Sequence, residues 1–223
     1  MDTVDSLAEC GIFSIFVPIQ PHCILELSFN MADNTLSDDI RFMADSTEGK
    51  DGAKEVIMDY VISWTLRRAQ NSCANDKPVL YRYSRKLLGF LLGIELEDRD
   101  VVKVETKKQV ERIDLWVEVS VNGVEYDILI EDKYYSRLHD NQLERYKEFF
   151  DGWLLENRPK SKPLYWLLTC HERGLTDIYD SAEKYGFCVG FWDDMISAMG
   201  CEDDDAQDSE SDIFNEFWLR SWL

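Results

Sequence analysis

Basic residues are scarce in this sequence. It contains 24 lysines and arginines against 44 aspartates and glutamates, which gives a formal net charge of −20. This shortage argues against tight, non-specific binding to nucleic acid, because contacts to phosphates need lysine and arginine. Most of the acidic excess lies at the two ends, since residues 1–48 carry a net charge of −8 and residues 202–223 carry −7. Residues 49–201 carry only −5, so the objection is weaker for the middle of the chain.

Paired cysteines and long hydrophobic runs are also missing. The six cysteines form no C-x-x-C pair and are irregularly spaced. Their pattern argues against a zinc ribbon or an iron–sulfur cluster and favours the reduced thiols of a cytoplasmic protein. The apolar segment from Ile12 to Ile19 is too short to span a membrane, and it lacks the basic start of a signal peptide. We therefore expect a cytoplasmic protein without a membrane segment.

The length and composition favour one folded domain with extensions. The chain has 223 residues, and its hydrophobic fraction of 45% suits a globular protein. Residues 1–52 are predicted to be an N-terminal extension of uncertain structure, of which residues 31–52 are typical of a linker. Residues 53–200 are predicted to form the domain, and residues 201–223 an acidic tail with a C-terminal amphipathic helix.

Hydrophobic periodicity predicts the elements of the domain. A helix is expected over residues 53–69, with an apolar stripe made of Val56, Ile57, Tyr60, Val61 and Trp64. A second helix over residues 79–94 and a strand over 101–106 follow. Beyond a hairpin, helices and strands then alternate up to residue 199. This order predicts an α/β fold with a mixed sheet.

The hairpin is predicted from an Asn-Gly pair between two alternating runs. A type I′ turn needs positive φ at both central positions, and Asn122-Gly123 supplies the residues that adopt it most readily. With this turn, the numbers of paired residues sum to 245. Asp114 is then expected directly opposite Glu131, with Lys133 on the same face two residues further on.

The two faces of the predicted hairpin differ in character. One face is apolar and carries Ile113, Leu115, Val117, Val119, Ile128 and Ile130. The other carries Asp114, Glu131 and Lys133 at one end. Two carboxylates directly opposite each other repel, and a bound divalent cation would remove that cost. A hard cation held by one or two carboxylates, water and phosphate describes a Mg²⁺ site. By parity, Asp132 is expected on the apolar side, at a strand end where it can reach water or Arg112.

Asp114 followed by Glu131-Asp132-Lys133 resembles the motif of the PD-(D/E)XK nuclease superfamily, with Ile113-Asp114 in place of Pro-Asp. Gln142 and Tyr146 resemble the Q-x-x-x-Y helix motif of RecB-type members. The resemblance covers roughly residues 78–198. It implies a restriction-endonuclease-like domain, in which a mixed β-sheet is sandwiched by helices.

The resemblance also implies an activity and the roles of the motif residues. The activity is hydrolysis of DNA phosphodiester bonds with Mg²⁺ or Mn²⁺ as the cofactor. Asp114, Glu131 and the carbonyl of Asp132 would hold the metal, and Lys133 would position the attacking water. Gln142 and Tyr146 would support the site, and Arg145 is a nearby candidate for contact with nucleic acid. Restriction, repair and defence against mobile DNA are all compatible with this activity.

Two further acids are candidate metal ligands. Glu105 lies nine residues before Asp114 on the preceding strand, although an exposed strand end fits it equally well. Superfamily members often carry a glutamate on an N-terminal helix, but the segment Tyr81–Arg85 contains no acid. Glu55 on the earlier helix is the substitute candidate.

The C-terminal tail and the net charge leave alternatives open. Residues 202–212 contain no basic residue and are expected to be disordered, whereas the aromatic segment 213–223 is expected to form a helix. That helix would dock on its own domain or bind a partner, including a second copy of this chain. The strong negative charge also suits a catalytically inactive interaction protein that mimics DNA, or a nuclease subunit that needs a basic partner.

Overall fold

The computed structural model describes residues 42–43, 52–139, 141–171, 173, 176–201 and 206–220. Nearly all of the predicted N-terminal extension and linker therefore lies outside the described residues. The same holds for the start of the acidic tail and for the last three residues of the C-terminal helix.

Five strands form one mixed sheet in which each strand neighbours the next along the chain. They are β1 (Val102–Val110), β2 (Ile113–Val121), β3 (Val124–Lys133), β4 (Lys162–Thr169) and β5 (Cys188–Phe191). The first three strands are antiparallel, whereas β4 and β5 continue from β3 in parallel. Because β3, β4 and β5 are parallel, their carboxyl ends lie at the same edge of the sheet, which is where ligands bind in such sheets.

Helices cover both faces of this sheet. They are α1 (Gly52–Arg67), α2 (Pro78–Leu92), α3 (Gln142–Asn157), α4 (Thr176–Tyr185), α5 (Trp192–Met199) and α6 (Asp212–Phe214), and α6 continues as a π-helical turn, Asn215–Arg220. One core cluster joins the sheet to α1, α2, α5 and α6, and a second joins it to α3 and α4. This confirms the predicted α/β restriction-endonuclease-like fold. Within the described part of the chain, no helix is long and apolar enough to cross a membrane.

The predicted hairpin register is confirmed. Asn122 and Gly123 have φ values of 52° and 82°, as a type I′ turn requires. All pairs from Val121–Val124 to Leu115–Ile130 follow the predicted register. The paired ladder ends at Leu115–Ile130, so Asp114 and Glu131 lie just beyond it rather than as a ladder pair.

The predicted apolar face of β2 is wrong at its first residue. Ile113 packs in the core cluster of α3 and α4 with Trp116 and Leu129, not with Leu115 on the opposite face. The turn before β2 holds Glu111 and Arg112 at positive φ. The regular alternation of the strand begins only after Asp114, since Ile113 and Leu115 pack in different core clusters.

The predicted apolar stripe of α1 is also largely wrong. Val56, Ile57 and Tyr60 are exposed, and the buried face of the helix is formed by Met58, Asp59, Val61, Ile62, Ser63, Thr65 and Leu66. The spacing of Met58, Ile62 and Leu66 is helical and would itself predict a core face. The buried face also includes the carboxylate of Asp59, a residue type that is normally assigned to the exposed side.

The predicted disorder of the tail is wrong for residues 206–211. The backbone N–H of Gln207 donates to the Tyr83 hydroxyl at 2.8 Å, and the Ser209 hydroxyl donates to Asn215 Oδ1 at 2.7 Å. Local polar bonds thus offset the lack of apolar residues. The segment leads into the π-helical turn, whose Trp218 is fully buried in the core of this chain. The C-terminal helix therefore docks on its own domain.

Candidate active site

Glu131 and Lys133 lie together at the carboxyl end of β3, on the side of the sheet that α3 covers. Glu131 is fully buried and Lys133 is only 6% exposed. The Lys133 ammonium forms an ion pair with Oε1 of Glu131. The other oxygen, Oε2, is also buried and has no N–H or cationic donor among the described residues.

Of the Q-x-x-x-Y residues, Gln142 contacts Glu131 directly, and Tyr146 contacts Gln142. Gln142 Nε2 donates to Glu131 Oε1 at 2.5 Å and to the Tyr146 hydroxyl at 3.2 Å. The other end of the Gln142 amide accepts from the backbone N–H of His139 at 3.2 Å, which fixes its orientation. The first turn of α3 therefore holds the Glu131 carboxylate in place, and both Gln142 and Tyr146 are buried in doing so.

Three aspartates form a second group on the side of the sheet that α1 covers. Asp59 comes from α1, Asp114 from β2 and Asp132 from β3, and one oxygen of each lies within 4.8 Å of the others. Asp59 and Asp132 are 3% and 0% exposed, whereas Asp114 is half-buried. We refer to these three residues as the aspartate triad. The prediction that Asp132 reaches water or Arg112 is wrong, because its side chain is enclosed beneath α1.

Asp114 connects the triad to the rest of the site. Its Oδ2 accepts from the backbone N–H of Asp132 at 3.3 Å, and its Oδ1 accepts from Gln109 Nε2 at 3.3 Å. The same amide nitrogen of Gln109 donates to Asp59 at 3.4 Å. Gln109 has a φ of 55°, a left-handed conformation that is uncommon for a residue other than glycine. This backbone geometry accompanies an amide group that bridges two carboxylates.

Burial and mutual repulsion raise the pKa values of these acids. Burial, with the added charge of Asp114, raises the pKa of Asp59 to about 7, although hydrogen bonds with Asp132 and Gln109 partly oppose the rise. Burial and then the charges of Asp59 and Asp114 raise the pKa of Asp132 well above its usual range. Burial and Asp114 likewise raise the pKa of Glu131, even though Lys133 opposes the rise.

The pKa of Lys133 is also raised, which for a lysine favours the charged form. Burial lowers its pKa, but the charges of Glu131, Asp114 and Glu55 and the bond to Glu131 outweigh burial, so the net pKa is raised. The ammonium group therefore keeps its proton at neutral pH. Lys133 is suited to donating hydrogen bonds and stabilising negative charge rather than to accepting a proton.

The remaining predicted residues occupy different places. Glu55 lies on α1 beside the site, where its Oε1 accepts from the Tyr134 backbone N–H at 3.0 Å and from the Ser136 hydroxyl at 2.5 Å. Glu105 is exposed on β1, paired across the ladder with Glu118, and the structure does not bring it to the acids. Arg145 is exposed on α3, and its contact with nucleic acid stays a prediction.

The triad fits a hard divalent cation. Both carboxylate oxygens of Asp132 are buried, and within the described part of the chain they meet other carboxyl groups and no N–H or cationic donor. A buried carboxylate without a donor or counter-charge is costly, whereas a cation with oxygen ligands satisfies several such atoms at once. The oxygen-only donor set, without cysteine or histidine, favours Mg²⁺ or Mn²⁺ over softer metals.

The comparison with protein families agrees with this geometry. A family model described as PD-(D/E)XK nuclease superfamily matches residues 26–173, more than half of the chain. The chain therefore belongs to the PD-(D/E)XK nuclease superfamily. No curated protein sequence and no solved structure gave a significant match. Membership implies nuclease activity, which is a hydrolase activity, and the aspartate triad can hold a divalent metal.

Asp59 and Gln109 were missed from the sequence. Asp59 lies one helical turn after Glu55, so the i, i+4 spacing of two acids on one helix was the signal that could have found it. Gln109 lies opposite Asp114 in the β1–β2 register, between the pairs Lys108–Leu115 and Val110–Ile113. No simple sequence pattern marks it, because its role depends on a left-handed backbone within a strand.

Proposed function

We propose that this protein is a deoxyribonuclease that depends on a divalent metal, Mg²⁺ or Mn²⁺. The observation that carries the proposal is the pair of Asp132 oxygens, which are buried without donors between Asp59 and Asp114. Beside them lies the Glu131–Lys133 pair, held by Gln142. Superfamily membership supports cleavage of nucleic acid, and the likeness of Gln142 and Tyr146 to the RecB-type motif supports DNA as the substrate.

Each residue has a distinct role in this proposal. Asp59, Asp114 and Asp132 would hold the metal, and Glu131 completes the set of acids from the α3 side. When bound, the metal supplies a Lewis acid for the phosphate and lowers the pKa of a water. Asp114 is the half-buried member of the triad, so the phosphate would approach from its side.

Lys133 and the first turn of α3 complete the proposed machinery. The charged Lys133 ammonium orients the attacking water and stabilises the negative charge that develops on the phosphate. Gln142 and Tyr146 hold Glu131 in the orientation that pairs with Lys133. The sequence-based assignment of Asp132 is thereby refined, since its side chain and not only its carbonyl is offered to the metal.

The direct test is cleavage of labelled DNA oligonucleotides with Mg²⁺, with Mn²⁺ and with a chelator. We expect cleavage only with metal, and a loss of about 100-fold or more in Lys133→Ala, as is usual when a charge-stabilising donor is removed. The control is Lys147→Ala, which removes a lysine paired with Asp151 on the surface of α3. Melting curves establish that both variants fold. Undiminished activity in Lys133→Ala would contradict the mechanism.

The net charge of −20 favours a second candidate function, an inactive nuclease fold that binds a partner by mimicking DNA. A nuclease subunit that needs a basic partner is its active counterpart. Calorimetric titration with Mn²⁺ separates the two. Absence of heat and of thermal stabilisation would favour the inactive protein, whereas metal binding with cleavage only after addition of cell extract would favour the subunit.

A further inference from the structure

A second concave site adjoins the acids at the carboxyl edge of the parallel strands. It has a volume of about 390 Å³, and its walls include Tyr135, His171, Arg173, Phe191, Trp192 and Asp193. We call it the aromatic pocket. This volume lies within the range of pockets that hold small organic groups. Its position matches the edge of an α/β sheet where ligands bind, and the roles proposed above for the acids and Lys133 leave it unused.

Direct contacts link the aromatic pocket to the catalytic strand. The Cys170 backbone N–H, in the pocket wall, donates to the carbonyl of Lys133 at 3.1 Å. His171 Nε2 lies 3.0 Å from the carbonyl of Ser136, and the Ser136 hydroxyl donates to Glu55. The pocket is therefore within one or two residues of the groups that would act on a phosphate.

One wall of the pocket offers an accessible aromatic ring. Tyr135 is 51% exposed, and its ring meets the His171 ring edge to face at 5.6 Å between centroids. Phe191 and Trp192 also line the pocket, but they are only 5% and 4% exposed, so Tyr135 presents the accessible ring. Aromatic rings of this kind stack on nucleobases regardless of their identity.

The charges of the pocket distinguish a base from a phosphate. The Arg173 guanidinium lies over the Phe191 ring at 4.5 Å and is held by Asp193 at 3.0 Å and by Asp194 at 2.5 Å. Two carboxylates thus already compensate this cation. A phosphate group would meet a balanced or negative environment there, whereas an uncharged flat ring can stack on Tyr135.

We propose that the aromatic pocket binds one nucleobase of the DNA strand whose phosphate is cleaved. This inference rests on the proposed nuclease function and adds a substrate class to it. A base can enter such a pocket only when it is unstacked and unpaired, which costs least in single-stranded or mismatched DNA. Single-stranded DNA, or a strand that is locally opened, is therefore the preferred substrate.

The test moves one abasic site along a single-stranded oligonucleotide that the enzyme cleaves in Mn²⁺. We expect an abasic site at one fixed position from the cleaved bond to lower kcat/KM about tenfold in the wild-type protein. In Tyr135→Ala the intact strand loses about the same factor, and the abasic site at that position has no further effect. Tyr135→Phe keeps the ring and should behave as the wild type.

A matched control and a second readout make the outcome independent of cleavage. Tyr126→Ala removes a half-buried tyrosine near the amino end of β3, seven residues before Lys133 and at the opposite end of the strand from the pocket. It should leave the abasic profile unchanged. With Ca²⁺ in place of Mn²⁺, binding of oligonucleotides that carry 2-aminopurine reports stacking by quenching. Quenching at one position that Tyr135→Ala abolishes supports the proposal.

The possible outcomes separate the pocket from the nuclease. Cleavage with no position-dependent abasic effect, or with the same effect in Tyr135→Ala, overturns the pocket and leaves the nuclease standing. Binding with quenching but without cleavage overturns the nuclease and supports the pocket. Neither binding nor cleavage overturns both.

Discussion

Asp59 of α1 and Asp132 of β3 are 73 residues apart in the sequence, yet their carboxylates face each other inside the protein. One oxygen of each lies within 4.8 Å of the other and of an Asp114 oxygen, and the two side chains are 3% and 0% exposed. Two buried acids in contact repel when both are charged, and their burial lowers stability unless a cation compensates them. The protein therefore trades stability in the metal-free state for a preformed set of oxygen ligands.

The first prediction concerns the stability of Asp132→Asn. Without metal, this variant should melt at a higher temperature than the wild type, because a buried carboxylate without donors is replaced by a neutral amide. Its free energy of unfolding should be larger by about 1–3 kcal/mol. With Mn²⁺ the order should reverse, since the variant loses the thermal stabilisation that metal binding gives. Melting curves with a chelator and with Mn²⁺ measure both effects.

Asp127 provides the control for that prediction, because it is also a fully buried aspartate of β3. Its carboxylate accepts from Trp116 at 2.8 Å and pairs with Arg158 at 2.9 Å. Asp127→Asn should therefore be destabilised with or without metal. If Asp132→Asn were destabilised to the same extent in the chelator, the carboxylate pair would not be a source of strain.

A second prediction concerns the pH dependence of stability without metal. Burial, with the charge of Asp114, raises the folded-state pKa of Asp59 from 3.8 to about 7, so the folded protein binds a proton that the unfolded chain has released. The contribution of Asp59 to the free energy of unfolding is therefore greatest below about pH 4 and is lost as the pH rises to about 7. At 1.36 kcal/mol per pKa unit, the loss is up to about 4 kcal/mol. Asp132 and Glu131 act in the same direction.

The measurement for this prediction is the difference in unfolding free energy between the wild type and Asp59→Asn, since carboxylates remote from Asp59 titrate equally in both. The advantage of Asp59→Asn should grow from about pH 4 to about pH 7 in the chelator. Saturating Mn²⁺ should cancel it, because the metal replaces the proton and binds more tightly as the pH rises. A difference that does not change with pH would be inconsistent with the raised pKa.

Gln142 leads to a third prediction, about the positioning of Glu131. Gln142→Leu removes the donor to Glu131 Oε1 and should reduce metal affinity or kcat by about 10- to 100-fold, as is typical for residues that orient metal-site ligands. Tyr146→Phe removes only the hydroxyl that Gln142 also contacts, and its effect should be smaller. Equal losses in the two variants would mean that the Tyr146 hydroxyl contributes as much as the Gln142 bond to Glu131, which would contradict a leading role for that bond.

The sequence predicted the parts of this site that follow from local rules. The Asn122-Gly123 turn and strict alternation were enough to place Glu131 and Lys133 on one face, and the i, i+4 spacing placed Gln142 beside Tyr146. Asp59 was not predicted because burial on a helix was inferred from hydrophobicity. In α1 this acid lies on the buried face, between Met58 and Ile62. A residue that reduces stability for function is the kind that such rules assign to the surface.

Backbone strain accounts for the other failure. Gln109, Glu111 and Arg112 have φ values of 55°, 51° and 71°, which their residue types do not favour. Local preferences therefore do not predict the two-residue turn between β1 and β2, because glutamate and arginine rarely adopt positive φ. That turn sets the start of β2 and, with it, the orientations of Ile113 and Asp114. Strained residues of this kind cluster at functional sites, where the surrounding structure holds them.

The last prediction concerns the C-terminal aromatic residues. Trp218 is fully buried, stacks on Trp192 at 4.8 Å and donates to the Thr65 hydroxyl of α1 at 3.0 Å. Trp218→Ala should therefore cost about 3–5 kcal/mol of unfolding free energy, the usual range for a buried tryptophan. Ile213 is 57% exposed on the same segment, so Ile213→Ala should change stability by less than about 0.5 kcal/mol.

The same pair of variants tests whether this segment binds a partner copy of the chain. A dimer built on the aromatic face would need Trp218 to leave the core, at a cost comparable to that of Trp218→Ala. Light scattering should therefore give the same mass for the wild type and Ile213→Ala over a range of concentrations, together with a concentration-independent melting temperature. A mass that falls only in Trp218→Ala while the protein stays folded would instead assign the aromatic residues to an interface. Because α1 carries both Asp59 and Thr65, loss of Trp218 should also weaken metal-dependent stabilisation, which an interface residue would not do.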